Sequence, residues 1–100
     1  MTSDQSPVAG YELHQNYPNP FNPGTVISFQ LPVNSEVQLV IYNSNGQLVK
    51  RLVAGEMNVG HHSLMWDAKD ERGVPVASGV YVYVLKAGAF TAQRKLVLMK

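Results

Sequence analysis

"VQLVIYNSNGQLVKRLV", residues 37–53, decides the fold. Val37, Leu39 and Ile41 alternate with Gln38, Val40 and Tyr42, the period of a strand whose inward face carries the first set. "NSNGQ" then interrupts the pattern, and Asn45-Gly46 is a strong short hairpin signal because both residues tolerate positive φ. A further run of strand-forming residues follows. Residues 36–43 and 47–53 therefore form two strands paired antiparallel.

The same period continues on both sides. Residues 25–31 put Ile27, Phe29 and Leu31 on one face and Ser28 and Gln30 on the other, and Pro32 stops the strand. Residues 55–60 form a loop, and 61–66 a strand with Leu64 and Trp66 on one face. "DAKDERGVP", residues 67–75, is a long turn, with a short strand at Val76-Ala77 after it. Residues 79–86, "GVYVYVLK", are β-branched and aromatic on both faces, as in a central strand covered on both sides. Gly88 turns the chain into a last strand, 90–99. No window keeps a helical apolar spacing over three turns. About seven short antiparallel strands describe an all-β, immunoglobulin-like sandwich. The cysteine hallmarks of antibody domains are missing, so the expectation covers the architecture alone.

Composition agrees with one packed domain. Of 100 residues, 45% are hydrophobic and 15% charged, which argues against disorder. Residues 1–12 are expected to be a linker or tail and 13–100 the domain. The formal net charge is +1 and the cations are scattered, with Lys50-Arg51 and Arg94-Lys95 alternating across strands. No basic stripe for nucleic acid results. No apolar run reaches a membrane span, and the first residues have neither the basic start nor the apolar stretch of a secretory signal. The chain is expected to act inside the cell or to be one module of a longer exported protein.

Catalytic chemistry finds little support. His61 and His62 point to opposite faces of a strand, and nothing in the sequence places His14 beside either, so no metal site is expected. Ser63 faces away from His62 and lacks a nucleophile elbow. Asp67, Asp70 and Glu71 miss the spacing of a calcium loop and suit a turn whose carboxylates bond their own backbone. Trp66, Tyr81 and Tyr83 could stack on sugar, though in a small sandwich such residues are more often core. The expectation is a non-enzyme without cofactor.

Two segments ask for a reason. In "NYPNPFNPG", residues 16–24, Pro18, Pro20 and Pro23 lack an N–H and hold φ near −65°, so the segment neither coils nor pairs as a ladder. It is expected to be a stiff strap over one end of the sandwich, comprising Tyr17, Pro18, Asn19, Pro20 and Phe21, with both aromatics as anchors. At the other end, residues 96–99 are apolar on both faces. Burial and an exposed docking edge both fit that pattern.

At these places the sequence resembles a known family. "NYPNPFNPGTVISFQLP", "VIYNSNGQLVKRLV", "GHHSLMWDAKDERGVPVASGVYVYVL" and "RKLVLMK" together are similar to the type A C-terminal sorting domain of the type IX secretion system. The stretch from Trp66-Asp67 to Ser78-Gly79-Val80-Tyr81 also resembles the immunoglobulin-like part of the flagellar hook-capping protein. The first resemblance implies a secretion signal. A covalently linked upstream cargo would cross the periplasm. The outer-membrane translocon would then recognise the domain through Lys95, Leu96, Val97, Leu98, Met99 and Lys100. A sortase would remove the domain, leaving the cargo at the cell surface or secreted. On that reading the apolar terminus is an open edge for docking, and the chain is a module excised from a longer protein. The alternatives are a structural spacer or assembly module, or a carbohydrate-binding module.

Overall fold

Alternating burial along each segment builds the architecture. The structure, a computed structural model, describes residues 10–21 and 23–99. It contains β1 (Glu12–Leu13), β2 (Thr25–Leu31), β3 (Ser35–Asn43), β4 (Leu48–Met57), β5 (Gly60–Trp66), β6 (Gly79–Ala87) and β7 (Phe90–Leu98). They form two antiparallel sheets, one ordered β1-β2-β5 and the other β4-β3-β6-β7. This is the immunoglobulin-like sandwich. Ile27, Phe29 and Leu31 from β2 face Val37, Leu39 and Ile41 from β3 and Tyr83 and Leu85 from β6, all buried. Trp66 closes one end of this core with no exposed surface.

The deciding hairpin forms by a different turn from the one its sequence suggests. Of its two turn residues only Gly46 takes a positive φ, +81°. Gly46 N–H donates to the Asn43 carbonyl and Asn43 N–H to the Gln47 carbonyl. That pattern is a turn followed by a glycine bulge. The Asn43 side chain holds it together, its Oδ1 accepting from Asn45 N–H at 2.9 Å and Gln47 N–H at 3.0 Å. Two register shifts interrupt the β3–β4 ladder, between Leu39 and Val40 and between Ile41 and Tyr42. Such bulges increase the local twist and make an edge strand a poor template for further pairing.

Several expected boundaries move. Residues 55–57 extend β4 instead of opening a loop, because Val37 pairs with Gly55 and Ser35 with Met57. Val76 and Ala77 are not a strand; Val76 N–H donates to the Ala68 carbonyl inside the 67–78 loop. The first strand is instead β1, and Tyr11 stacks on Phe90 with ring centroids 5.0 Å apart. Tyr11, on the linker side of the expected boundary at residue 12, thus packs on the domain. β6 lies between β3 and β7, but only its tyrosine face is covered. Val82 and Val84 are half-buried and Val80 is 44% exposed on the other face. The β-branched residues there reflect strand preference and not a second covering layer.

Tyr83 ties the chain's opening to this central strand. Its hydroxyl donates to the His14 carbonyl at 2.7 Å and accepts from Asn16 N–H at 2.8 Å. Burial raises its pKa above the ordinary 10.0, although the Asn16 N–H and the nearby Arg94 charge pull the other way. The folded state therefore keeps the phenol proton to higher pH than the unfolded chain. This contribution to stability is complete below the unfolded value and is lost as pH rises through the raised folded one.

Tyr83→Phe should cost about 1–3 kcal/mol, because it leaves the buried Asn16 N–H without a partner. Urea unfolding at neutral pH measures that loss. The same curves above pH 10.0 should show a steeper fall for the native chain than for the variant.

Candidate functional site

The two unusual segments of the sequence meet in space. The strap is built on Asn16, which is 2% exposed. Its amide donates to the Pro18 carbonyl at 3.1 Å and to Thr25 Oγ1 at 3.0 Å. Thr25 Oγ1 in turn donates to the same Pro18 carbonyl at 2.9 Å, and Tyr17 exchanges main-chain hydrogen bonds with Val26. Both the Tyr17–Pro18 and Asn19–Pro20 peptide bonds are cis.

From this base the strap runs along the outer edge of β7. Asn19 Oδ1 accepts from Val97 N–H at 2.9 Å. Phe21 N–H donates to the Val97 carbonyl at 3.0 Å, and Phe21 C=O accepts from Met99 N–H at 2.9 Å. Gln15 Nε2 donates to the Lys95 carbonyl at 2.8 Å, and Arg94 Nε reaches back to the Leu13 carbonyl at 2.6 Å. The proline spacing explains the division of labour. Pro18 and Pro20 have no N–H to offer, so pairing falls to the side chain of Asn19 and the main chain of Phe21. The Phe21 ring is 1% exposed and packs on Trp66 at 5.6 Å, and Trp66 meets Tyr81 edge-on at 5.6 Å. Such aromatic pairs add roughly 0.5–1.5 kcal/mol each beyond area burial.

This arrangement corrects the expected open rim. Leu96 and Leu98 are 0% and 1% exposed, inside the core. The inner edge of β7 pairs with β6 from Phe90 to Leu98, and the strap occupies the outer edge at residues 95–99. An unpaired edge would be a template for association, and the strap satisfies it within the chain. Lys95 and Met99 remain exposed and Val97 is half-buried, while Lys100 lies outside the described residues. Of the strap, Pro18, Asn19 and Pro20 are exposed. Tyr17 is no side-chain anchor, because it is 79% exposed and held through its backbone. Its bridge to Val26, and the Val26–Met65 pairing, place three exposed apolar residues in one row across the smaller sheet.

The remaining candidates resolve into structural roles. Trp66 and Tyr83 have no exposed surface and Tyr81 has 6%, so none offers a face for stacking on sugar. Asp67 Oδ1 accepts from Lys69 N–H, and Asp70 Oδ1 from Arg72 and Val74 N–H, so these carboxylates organise the loop. Glu71 accepts from Arg51 N–H on β4. The Val74 N–H, then Arg72, hold Asp70 below its usual carboxylate range, against some desolvation. Ala68 is the non-glycine residue with positive φ, 64°, among those described, and it is buried under this loop. His62 stacks on Phe29, ring centroids 5.5 Å apart. His61, against expectation, lies beside His14, at 5.7 Å. Among the described residues no three His, Asp or Glu side chains converge as metal ligands, and no helix is long and apolar enough to cross a membrane.

Comparison with known proteins places this geometry. Residues 16–89 match the family model of the FlgD Ig-like domain, which takes in the strap and stops short of β7. No curated protein matches the chain closely enough to count as a relative. Latent PorU from Porphyromonas gingivalis shares the fold at a TM-score of 0.70 and 19% identity, over 89% of this chain and 9% of its own. PorZ from the same organism, an essential surface component of its type IX secretion system, does so at 0.61 and 20%, over 88% of this chain and 11% of its own. FlgD from Pseudomonas aeruginosa gives 0.58 and 29%, over 74% of this chain. The chain spans about a tenth of PorU and PorZ and 57% of FlgD.

Phe21→Ala should destabilise the domain by about 3–5 kcal/mol, since it empties a buried ring site against Trp66. Denaturant unfolding with tryptophan fluorescence measures it. In an NMR titration Asp70 should protonate below 3.8, and Arg72→Ala should raise that value only in part, because Val74 N–H remains. The turn's contribution from Asp70 is present above the unfolded value and lost as pH falls through the lowered one.

Proposed function

The chain belongs to the family of FlgD Ig-like domains, and from that premise we propose that it serves as a sorting module of the type IX secretion system. In this reading it catalyses nothing. It directs a covalently linked upstream cargo from the periplasm to the outer-membrane translocon, and a sortase then removes it. The cargo ends at the cell surface or outside the cell.

One observation carries the reading. The two motifs behind the sequence resemblance, the Pro-Asn-Pro-Phe opening and the Lys-Leu-Val-Leu-Met end, form one hydrogen-bonded unit. Residues far apart in the chain then present a single surface, of Pro18, Asn19, Pro20, Lys95 and Met99. The fold shared with PorU and PorZ covers 89% and 88% of this chain, and that shared with FlgD covers 74%. Because the strap uses the main-chain groups of residues 95–99, recognition falls first on side chains. Strand addition at this edge requires the strap to leave.

A second reading is a structural spacer or assembly module. The 29% identity to FlgD and the family match over residues 16–89 favour it.

A fusion of residues 13–100 behind an exported reporter, in a bacterium with this pathway, separates the two. Deleting residues 96–100 removes core leucines, so the informative variant is Lys95→Glu with Met99→Glu, both exposed positions. The sorting reading expects secretion to fall at least tenfold while circular dichroism stays native. Undiminished secretion of that double variant, or of the deletion, would favour the spacer.

A further inference from the structure

Two sheets have four edges, and three of them are closed within the chain. The strap covers β7. β4 carries register shifts and is held from outside by Glu71, whose carboxylate accepts from Arg51 N–H and whose own N–H donates to the Val49 carbonyl. β1 has only two residues, and Arg94 reaches its Leu13 carbonyl from β7. β5 differs. It pairs with β2 over its whole length, residues 60–66, without a register shift. Among the described residues no strand or bridge lies along its other side.

Alternation fixes which groups that edge offers. Val26 exchanges main-chain hydrogen bonds with Tyr17, and the Ser28 carbonyl accepts from His14 N–H, so these residues of β2 point away from β5. Ile27 and Phe29 therefore point toward it, at their partners Leu64 and His62. By the same rule the N–H and C=O groups of His61, Ser63 and Met65 point outward. All three residues are exposed, Met65 by 69%. Residues 60–66 contain no Lys, Arg, Asp, Glu or Pro, the side chains that blunt natural edges.

We propose that β5 is a self-association edge, which pairs antiparallel with β5 of a second copy of this chain about a two-fold axis at Ser63. This register sets Ser63 opposite Ser63 of the second copy, and His61 opposite Met65 on either side of the axis. Each of these pairs joins residues whose groups point outward, so each exchanges two main-chain hydrogen bonds. A slip by one residue would oppose outward groups to inward ones, and a slip by two would leave a pair unmade. A two-fold axis brings like residues together, so a charged strand would repel itself. With its histidines neutral β5 carries no charge, which selects a second copy over a charged partner strand. Pairing merges the two smaller sheets, and the exposed row of Tyr17, Val26 and Met65 continues onto His61 of the second copy. The inference does not rest on the sorting reading. β5 lies at the opposite end of its sheet from β1, the strand that Arg94 ties to β7, so pairing leaves the strap free.

Sedimentation equilibrium of the full 100-residue chain tests this, over the range from about 10 μM to about 1 mM that a weak single-strand contact requires. A monomer–dimer equilibrium without larger species is expected. Hydrogen exchange of the same samples should follow the alternation. Raising the concentration slows the His61, Ser63 and Met65 amides in step with the dimer fraction, and leaves His62 and Leu64, already in the β2 ladder, unchanged. Ser63→Lys sets two ammonium groups across the axis and should weaken the dimer roughly fivefold, the effect of one like-charge cross-strand pair. Gln93→Lys, the same charge added at an exposed position of β7, should leave the dimer as it is. Circular dichroism checks that both variants are folded, and the exchange pattern of the native chain needs no variant. A monomer at every concentration, which would leave the edge to a foreign strand or to none, overturns the proposal. So does a dimer that Ser63→Lys leaves intact, or one whose formation does not slow those three amides.

Discussion

An edge strand needs partners for its main-chain groups, and in this domain the strap supplies them. β7 ends the larger sheet, so its outer N–H and C=O groups would otherwise face water. Asn19 and Phe21 satisfy Val97 and Met99, and Gln15 satisfies Lys95. Each contact on its own is modest, of order 1 kcal/mol. Their joint effect is larger, because they carry Phe21 into the aromatic end of the core beside Trp66.

The strap holds its course because its own polar groups are internally paired. The buried Asn16 amide, Thr25 hydroxyl and Pro18 carbonyl bond one another, and Tyr83 accounts for Asn16 N–H. A buried network with its members satisfied rigidifies, whereas one with a missing partner costs stability. The result is a domain whose opening and final segments are one element. Any partner that recognises the terminal residues meets the strap at the same time.

Most of the architecture was legible in the sequence. β2 has the expected bounds, and β3, β5 and β6 differ by a residue at one end, because period two and hydrophobicity agree there. β4 outran its expected end, because Gly55 inside a strand looks like a loop signal. β1 was missed, since two residues carry no period. The prolines marked a strap and Phe21 as its anchor on the core, which it is, but not the edge of β7 along which the strap runs. Nothing local tells that Asn19 answers Val97, or that Asn16 and Thr25 are buried together. The doubly apolar terminus fitted burial and docking alike, and the family resemblance tipped the expectation to an open rim. Leu96 and Leu98 face the core as the alternation requires, but Val97 shows how a half-buried outer face mimics a second buried one. The meeting of His14 with His61 is likewise a consequence of sheet order, which no spacing rule contains.

Native-state hydrogen exchange read residue by residue tests the central claim most directly. If the strap closes the outer edge of β7, the amides of Val97, Met99 and Phe21 are protected and exchange together, close in free energy to β6. Free exchange at Val97 and Met99, with β6 amides still protected, would mean that the edge is open and that the strap does not hold it.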